Sequence, residues 1–213
     1  MKFDLLFEEL ISKFKPSSGK TVAILPGGFK PPHKGHFEAL NYLLAEANSG
    51  VVYIGGKVRE GVEITAEQSK QIWDIYKKYL PKPVEVYIAT TIKTQVGPNG
   101  EQPKNEYIQS PIQATYQYVH LHPDENVIVG VGPEEDSNEL KRYATFQKNP
   151  EKYPLVKIVN IPPMHDRISG TVIRKKIASG ASDAVDYFIP THNDGSQLIS
   201  DEDKRKIAKI LGL

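Results

Sequence analysis

The chain has 213 residues, 27 Lys plus Arg against 26 Asp plus Glu, a formal net charge of +1 and 39% hydrophobic residues. So even a balance lacks the general cationic surplus that drives sequence-independent nucleic-acid binding, and no apolar run approaches the roughly 18 residues of a membrane span; neither nucleic acid nor membrane is an expected partner, and any anion must be held locally. The sequence contains no cysteine, which excludes disulfides, thiolate metal sites and cysteine nucleophiles, and the acids in the opening MKFDLLFEELISKF interrupt what a signal peptide would keep apolar, so the expected location is cytoplasmic.

In chain order, Phe3, Leu6, Phe7, Leu10, Ile11 and Phe14 recur at the spacing of one helix face before the breaker run Pro16-Ser17-Ser18-Gly19. This predicts an amphipathic helix and linker over 1–18. It packs on its own domain or docks on another subunit or a membrane surface, and its polar face carries Glu8 and Glu9 rather than a lysine stripe. From Thr21 onward, short apolar runs alternate with helical periodicity. The runs are Val22 to Leu25, Val51 to Ile54, Val84 to Ala89, Val127 to Val131 and Val156 to Ile161. Phe37, Leu40, Leu44 and Ala47 mark one intervening helix; Ile72, Ile75, Tyr76 and Tyr79 mark another, opened by Thr65 with Gln68 three residues later as a capping box.

Such alternation predicts an α/β fold, a Rossmann-like doubly wound five-stranded parallel sheet with added N-terminal and C-terminal helices, binding its ligand at the carboxyl ends of the strands. The main domain is expected over 19–190. The polar stretch Lys93 to Glu106 is too long for an ordinary connection and is either a mobile lid or a disordered insertion. A C-terminal helical tail is expected over 191–213, with Ile207, Ile210 and Leu211 as its apolar stripe.

Two segments carry chemistry. Directly after the first strand comes PGGFKPPHKGHFEAL. Gly27 and Gly28 allow a tight turn and close approach to a ligand, and Pro31-Pro32 hold the chain extended until Gly35 releases it into a helix starting near His36. A helix N-terminus offers free N–H groups and a positive dipole end, and Lys30, His33, Lys34 and His36 add donors around it, so the expected partner is an anion such as a phosphate chain. Two histidines three apart are also compatible with metal ligation or with plain surface residues. No Cys, Asp or Glu lies in the same turn to complete a metal site, and two nearby lysines would repel a cation. The second segment, Ile168-Ser169-Gly170-Thr171-Val172-Ile173-Arg174, follows the fifth strand. Ser169 is a good N-cap, Ile173 and Ile177 mark the core face, and Thr171 and Arg174 share another face, giving a second helix start suited to anions.

HKGH after strand one together with ISGTVIR after strand five resembles the nucleotidylyltransferase superfamily of the HxGH type, whose members transfer AMP or CMP from a nucleoside triphosphate to a phosphorylated acceptor. GGFKPPHKGHFEAL and ISGTVIRKKI are most similar to the archaeal-type nicotinamide mononucleotide adenylyltransferases, and IGGKVREGVEITAEQ is similar to the family segment ending in an F-T-x-x-E-R helix start. The resemblance spans roughly Lys20 to Pro190. It implies that His33, His36, Lys57 and Arg174 are catalytic, that Gly27, Gly28, Phe29, Lys30, His33, Gly35, His36, Ser169, Thr171 and Arg174 bind the nucleotide, and that Mg²⁺ accompanies the phosphates. The expected activity is AMP transfer from ATP to a phosphorylated acceptor, nicotinamide mononucleotide first, with pyrophosphate released. Phosphopantetheine adenylyltransfer, cytidylyltransfer and a non-catalytic nucleotide-binding module are the alternatives, and a homo-oligomer is left open. His33, His36 and Arg174 are all present, which favours the enzyme over a degenerate module.

Two features depart from the resemblance. Gln68 and Ser69 stand where an acid-arginine pair is usual, and the fourth strand runs into VGVGPEEDSN, whose Glu134, Glu135 and Asp136 are either a ribose-binding group or a solvated turn. Trp73, Tyr87, Tyr107 and Phe146 are the candidates to stack on an acceptor ring.

Overall fold

The computed structural model describes residues 19–56, 64–89, 110–132, 141–164, 170–192 and 194–213. The helix expected over 1–18, the stretch 93–106, Lys57, Tyr107, the acidic turn 134–136 and Ser169 lie outside these residues.

Five strands form one parallel sheet: β1 (Thr21–Gly27), β2 (Ser49–Gly55), β3 (Val84–Ala89), β4 (Asn126–Val131) and β5 (Val156–Asn160). Their spatial order is β3-β2-β1-β4-β5. All five apolar runs became strands; the central ones are covered on both faces and read as continuous apolar runs, while edge strand β3 alternates buried Val84 and Val86 with exposed Glu85 and Tyr87. The order reverses direction between β1 and β4, which opens the crevice where ligands of such sheets sit.

Helices α1 (Lys34–Leu44) and α2 (Ala66–Tyr76) follow β1 and β2, and α3 (Pro111–Leu121) precedes β4. A short helix α4 (Ala144–Lys148) precedes β5, and α5 (Gly170–Ala178) and α6 (Asp201–Leu211) follow it. Leu25, Val52 and Ile54 face one side of the sheet and pack with Phe37 and Leu40 of α1, Ile72 and Trp73 of α2, Ile173 of α5 and Ile207 of α6. Val22, Ile24, Val51 and Val129 face the other side, beneath Val119 of α3 and Phe146 of α4.

Helix starts follow side-chain chemistry. Thr65 caps α2, its Oγ1 accepting from the Gln68 N–H at 3.1 Å while Gln68 Oε1 accepts from the Thr65 N–H at 2.9 Å; Ser110 and Gln113 repeat the arrangement at α3. Just past the far end of α1, Lys82 Nζ donates to the Leu44 and Ala47 carbonyls at 2.6 and 2.5 Å, adding to the backbone bonds that close the last turn. Among the described residues no helix is long and apolar enough to cross a membrane.

The segment expected as a tail is wired into the main core. Ile199, Ile207 and Leu211 are buried in the cluster that contains α1 and α2, Gln68 Nε2 donates to the Ile210 carbonyl at 2.9 Å, and buried Asp203 accepts from Lys78 Nζ at 3.1 Å and from the Tyr79 hydroxyl at 2.9 Å. Ile207→Ala is therefore expected to destabilise the whole domain by about 2–5 kcal/mol, the range for truncating a fully buried branched side chain. Urea unfolding checks this: one cooperative transition at a lower midpoint is expected, whereas a tail that folds separately would leave the main transition where it is.

Candidate active site

The two segments singled out in the sequence meet at the carboxyl ends of β1 and β5. The first helix begins at Lys34, two residues earlier than expected, with extended His33 as its N-cap (φ −139°, ψ 173°). His33 and His36 are thus the N-cap and third helical residue, positions at which a side chain reaches back to the cap. Nδ1 of His36 accepts the backbone N–H of His33 at 3.1 Å. An imidazole nitrogen that accepts carries no proton, so the neutral ring keeps its proton on Nε2. The two imidazoles lie stacked with centroids 3.7 Å apart. A Cβ on Gly35 would stand 3.2 Å from His33 Nδ1, so the residue between the histidines has little room for a side chain.

Burial dictates the charge state of the pair. It holds His33 down at about 4 and, with His33 as a second cause, holds His36 well below the ordinary imidazole value. Both rings are neutral donors at pH 7, because neither a desolvated cation nor two cations at stacking distance is affordable. His33 Nδ1 and Lys30 Nζ are buried and without a hydrogen-bond partner among the described residues. Burial lowers the Lys30 ammonium as well, with Glu67 acting in the opposite direction. Polar atoms left unpaired beside a helix N-terminus fit a site whose partner is an external anion.

Arg174 joins the two segments. From α5 its Nη1 donates to the Lys30 carbonyl at 3.0 Å and its Nη2 to Thr171 Oγ1 at 3.1 Å. Among the described residues these bonds use two of the five guanidinium donors. Thr171 is exposed and Arg174 half-buried, on the shared face that the spacing predicted. Gly170 opens α5, and a Cβ there would come within 3.4 Å of Arg174 Nη1.

Gly27 ends β1, and Gly28 lies against Gly55 of β2: a Cβ on Gly55 would sit 3.5 Å from Gly28 Cα. Phe29 is in the left-handed region (φ 45°), a conformation that costs a bulky L-residue about 1–2 kcal/mol. Its side chain is buried over Gly27, where any Cβ would be 2.6 Å from Phe29 Cζ. Of the rings offered for stacking, Trp73 and Phe146 are enclosed in the two cores. Tyr87 is 47% exposed on β3.

The unusual Gln68 and Ser69 have structural employment. Gln68 closes the α2 capping box and reaches Ile210, and buried Ser69 donates its hydroxyl to the Thr65 carbonyl at 3.0 Å. Among the described residues no three His, Cys, Asp or Glu gather to hold a metal ion. A Mg²⁺ ion arriving with a triphosphate would take phosphate oxygens and water among its ligands.

No protein-family model matches the chain, and no curated protein matches its sequence. Solved structures do match its fold. A Vibrio parahaemolyticus protein, provisionally assigned as a nicotinate-nucleotide adenylyltransferase, superposes with a TM-score of 0.53 at 14% identity over 88% of this chain and 98% of its own. Plasmodium falciparum nicotinic acid mononucleotide adenylyltransferase, complexed with NaAD, gives 0.50 at 14% identity over 79% of this chain and 94% of its own.

The buried imidazoles make stability depend on pH in a definite direction. Between pH 6.5 and about 4 the unfolded chain binds protons at His33 that the folded chain excludes, so stability is full above 6.5 and falls as the pH drops through that window, by up to about 3 kcal/mol. Urea midpoints at pH 7, 6, 5 and 4.5 check this, and His33→Gln is expected to flatten the slope.

Proposed function

We propose that the chain is a nucleotidylyltransferase that transfers AMP from the magnesium complex of ATP to a phosphorylated acceptor. The observation that carries this reading is the pair of neutral, stacked imidazoles at the α1 N-terminus, tied through Arg174 to the start of α5. An oxygen of the acceptor phosphate attacks the α-phosphorus in line, a new P–O bond forms, the bond to the bridging oxygen breaks, and pyrophosphate leaves. Such a transfer needs positioning and charge neutralisation more than a proton shuttle. Magnesium enters with the triphosphate as part of the substrate.

In this reading His33 and His36 donate to oxygens on which charge builds. Arg174, with the hydroxyls of Thr171 and Ser169, is assigned to the β- and γ-phosphates, Lys57 to the transferred α-phosphate, and Lys30 adds a donor around the α1 start. Gly27, Gly28 and Gly35 let the nucleotide lie against the backbone.

The acceptor is a pyridine mononucleotide. The HKGH and SGTVIR segments favour the nicotinamide form, and the names of both structural neighbours put the nicotinate form beside it. The decisive experiment is incubation with Mg²⁺ and ATP or CTP against nicotinamide mononucleotide, nicotinate mononucleotide and 4′-phosphopantetheine, with pyrophosphate and dinucleotide product both measured. Pyrophosphate and a dinucleotide from ATP with a pyridine mononucleotide are expected. Product from CTP alone, or nucleotide binding without turnover, would overturn the assignment.

His36→Ala is expected to lower kcat by at least about 10²-fold with a much smaller change in KM for ATP, because a donor aimed at developing charge contributes about 2.7–4 kcal/mol to the transition state. Steady-state kinetics separates the two, and equal losses in affinity and turnover would make His36 a ground-state binder. Arg174→Lys is expected to raise the KM for ATP by more than about twofold, since an ammonium cannot hold the Lys30 carbonyl, Thr171 and phosphate oxygens together as a planar fork does. An unchanged KM would mean that the guanidinium serves only to join the two segments.

A further inference from the structure

His36 is gripped from two sides. His33 stacks on one side at 3.7 Å, and the ring of Phe29 meets it at 4.9 Å with the planes at 82°, an edge-to-face contact. Behind Phe29 stands Trp73, 5.4 Å away at 80°. Trp73 is fully buried, and its indole N–H has no hydrogen-bond partner among the described residues. A buried indole usually finds one; here the residue is retained for its ring.

Two further observations single out Phe29. Its backbone sits at φ 45°, where glycine or asparagine would be at ease and a large aromatic residue is not, so the side chain is kept for what it touches. The place its ring occupies exists only because residue 27 has no Cβ: one built there would lie 2.6 to 3.0 Å from three Phe29 ring carbons.

We propose that Phe29 is the positioning residue of the site, its ring braced by Trp73 and holding His36 in the single orientation in which Nδ1 takes the His33 N–H and the proton remains on Nε2. Phe29 has no donor of its own to offer a phosphate, and it acts through His36. The effect on turnover rests on the adenylyltransfer reading; the orientation of the imidazole does not, and it can be observed without any substrate.

The test is long-range ¹H–¹⁵N NMR of the histidine rings in the full chain, combined with kinetics. In the wild type His36 is expected as one neutral tautomer, protonated at Nε2. In Phe29→Leu the two nitrogen shifts of His36 are expected to move toward each other as both tautomers become populated, and kcat is expected to fall about 10- to 100-fold, the cost of a misplaced catalytic group, with KM for ATP within about threefold. Ile72→Val is the packing control, since it trims a fully buried α2 side chain and is expected to lower the thermal midpoint while leaving both readouts unchanged. Should Phe29→Leu not fold, Trp73→Phe weakens the brace while keeping an aromatic core, and the same movement of the His36 shifts is expected. Wild-type tautomer and kcat in Phe29→Leu, or in Trp73→Phe where that variant is used, would overturn the proposal, as would an equal loss in Ile72→Val at matched stability. If the wild type transfers no nucleotide, the adenylyltransfer reading fails, and the His36 shifts still decide the role of Phe29.

Discussion

A helix that starts inside a protein exposes N–H groups that must find acceptors, and at α1 the neighbouring cap group is answered by an imidazole nitrogen. The bond from the His33 N–H to His36 Nδ1 does more than begin a helix. It fixes the tautomer of His36, sets the second histidine at stacking distance from the first, and occupies only the cap N–H. The sheet order, the glycine turn and the Arg174 link matter to chemistry because they deliver this one turn, desolvated and rigid, to the place where a parallel sheet takes its ligand.

Much of the scaffold was legible because burial on both faces writes itself as unbroken apolar runs. Each of the five runs became a strand, and the Thr65–Gln68 box and the Ile173, Ile177 face emerged where the spacing put them. Helix α3 was not read: its buried residues are Ala114, Thr115 and Val119, with tyrosines between them, and so small an apolar stripe resembles an ordinary polar connection. The C-terminal stripe of Ile207, Ile210 and Leu211 marks a helix in the sequence and does not show what that helix packs against. Asp203 and the Gln68 amide, whose partners lie more than 120 residues away, are what integrate it.

The site was legible as a set of residue types and much less as an arrangement. That Arg174 would spend a donor on the Lys30 carbonyl depends on a contact between segments 144 residues apart, and the placing of Phe29 depends in part on Trp73 from another helix. Sequence spacing carries no information about these two contacts, whereas the His33–His36 cap is a local three-residue arrangement. The departures at Gln68 and Ser69 have a local account instead: both side chains are consumed in starting α2 and in holding α6 against it, so their identity answers to packing.

Among the described residues, helix α1 meets a cation at its C-terminal end and has no acid in its first turn. Its last carbonyl, that of Leu44, accepts from the Lys82 ammonium, which arrives from the connection before β3, while its cap and first turn carry Lys34 and two neutral imidazoles and no acid. Placing a cation on the negative pole leaves the positive pole as the uncancelled end of the peptide dipole. The helix is therefore an oriented source of field rather than a neutral strut. Its attraction for a polyanion is built into the backbone and persists at any pH at which the domain is folded, independent of whether a histidine gains or loses a proton.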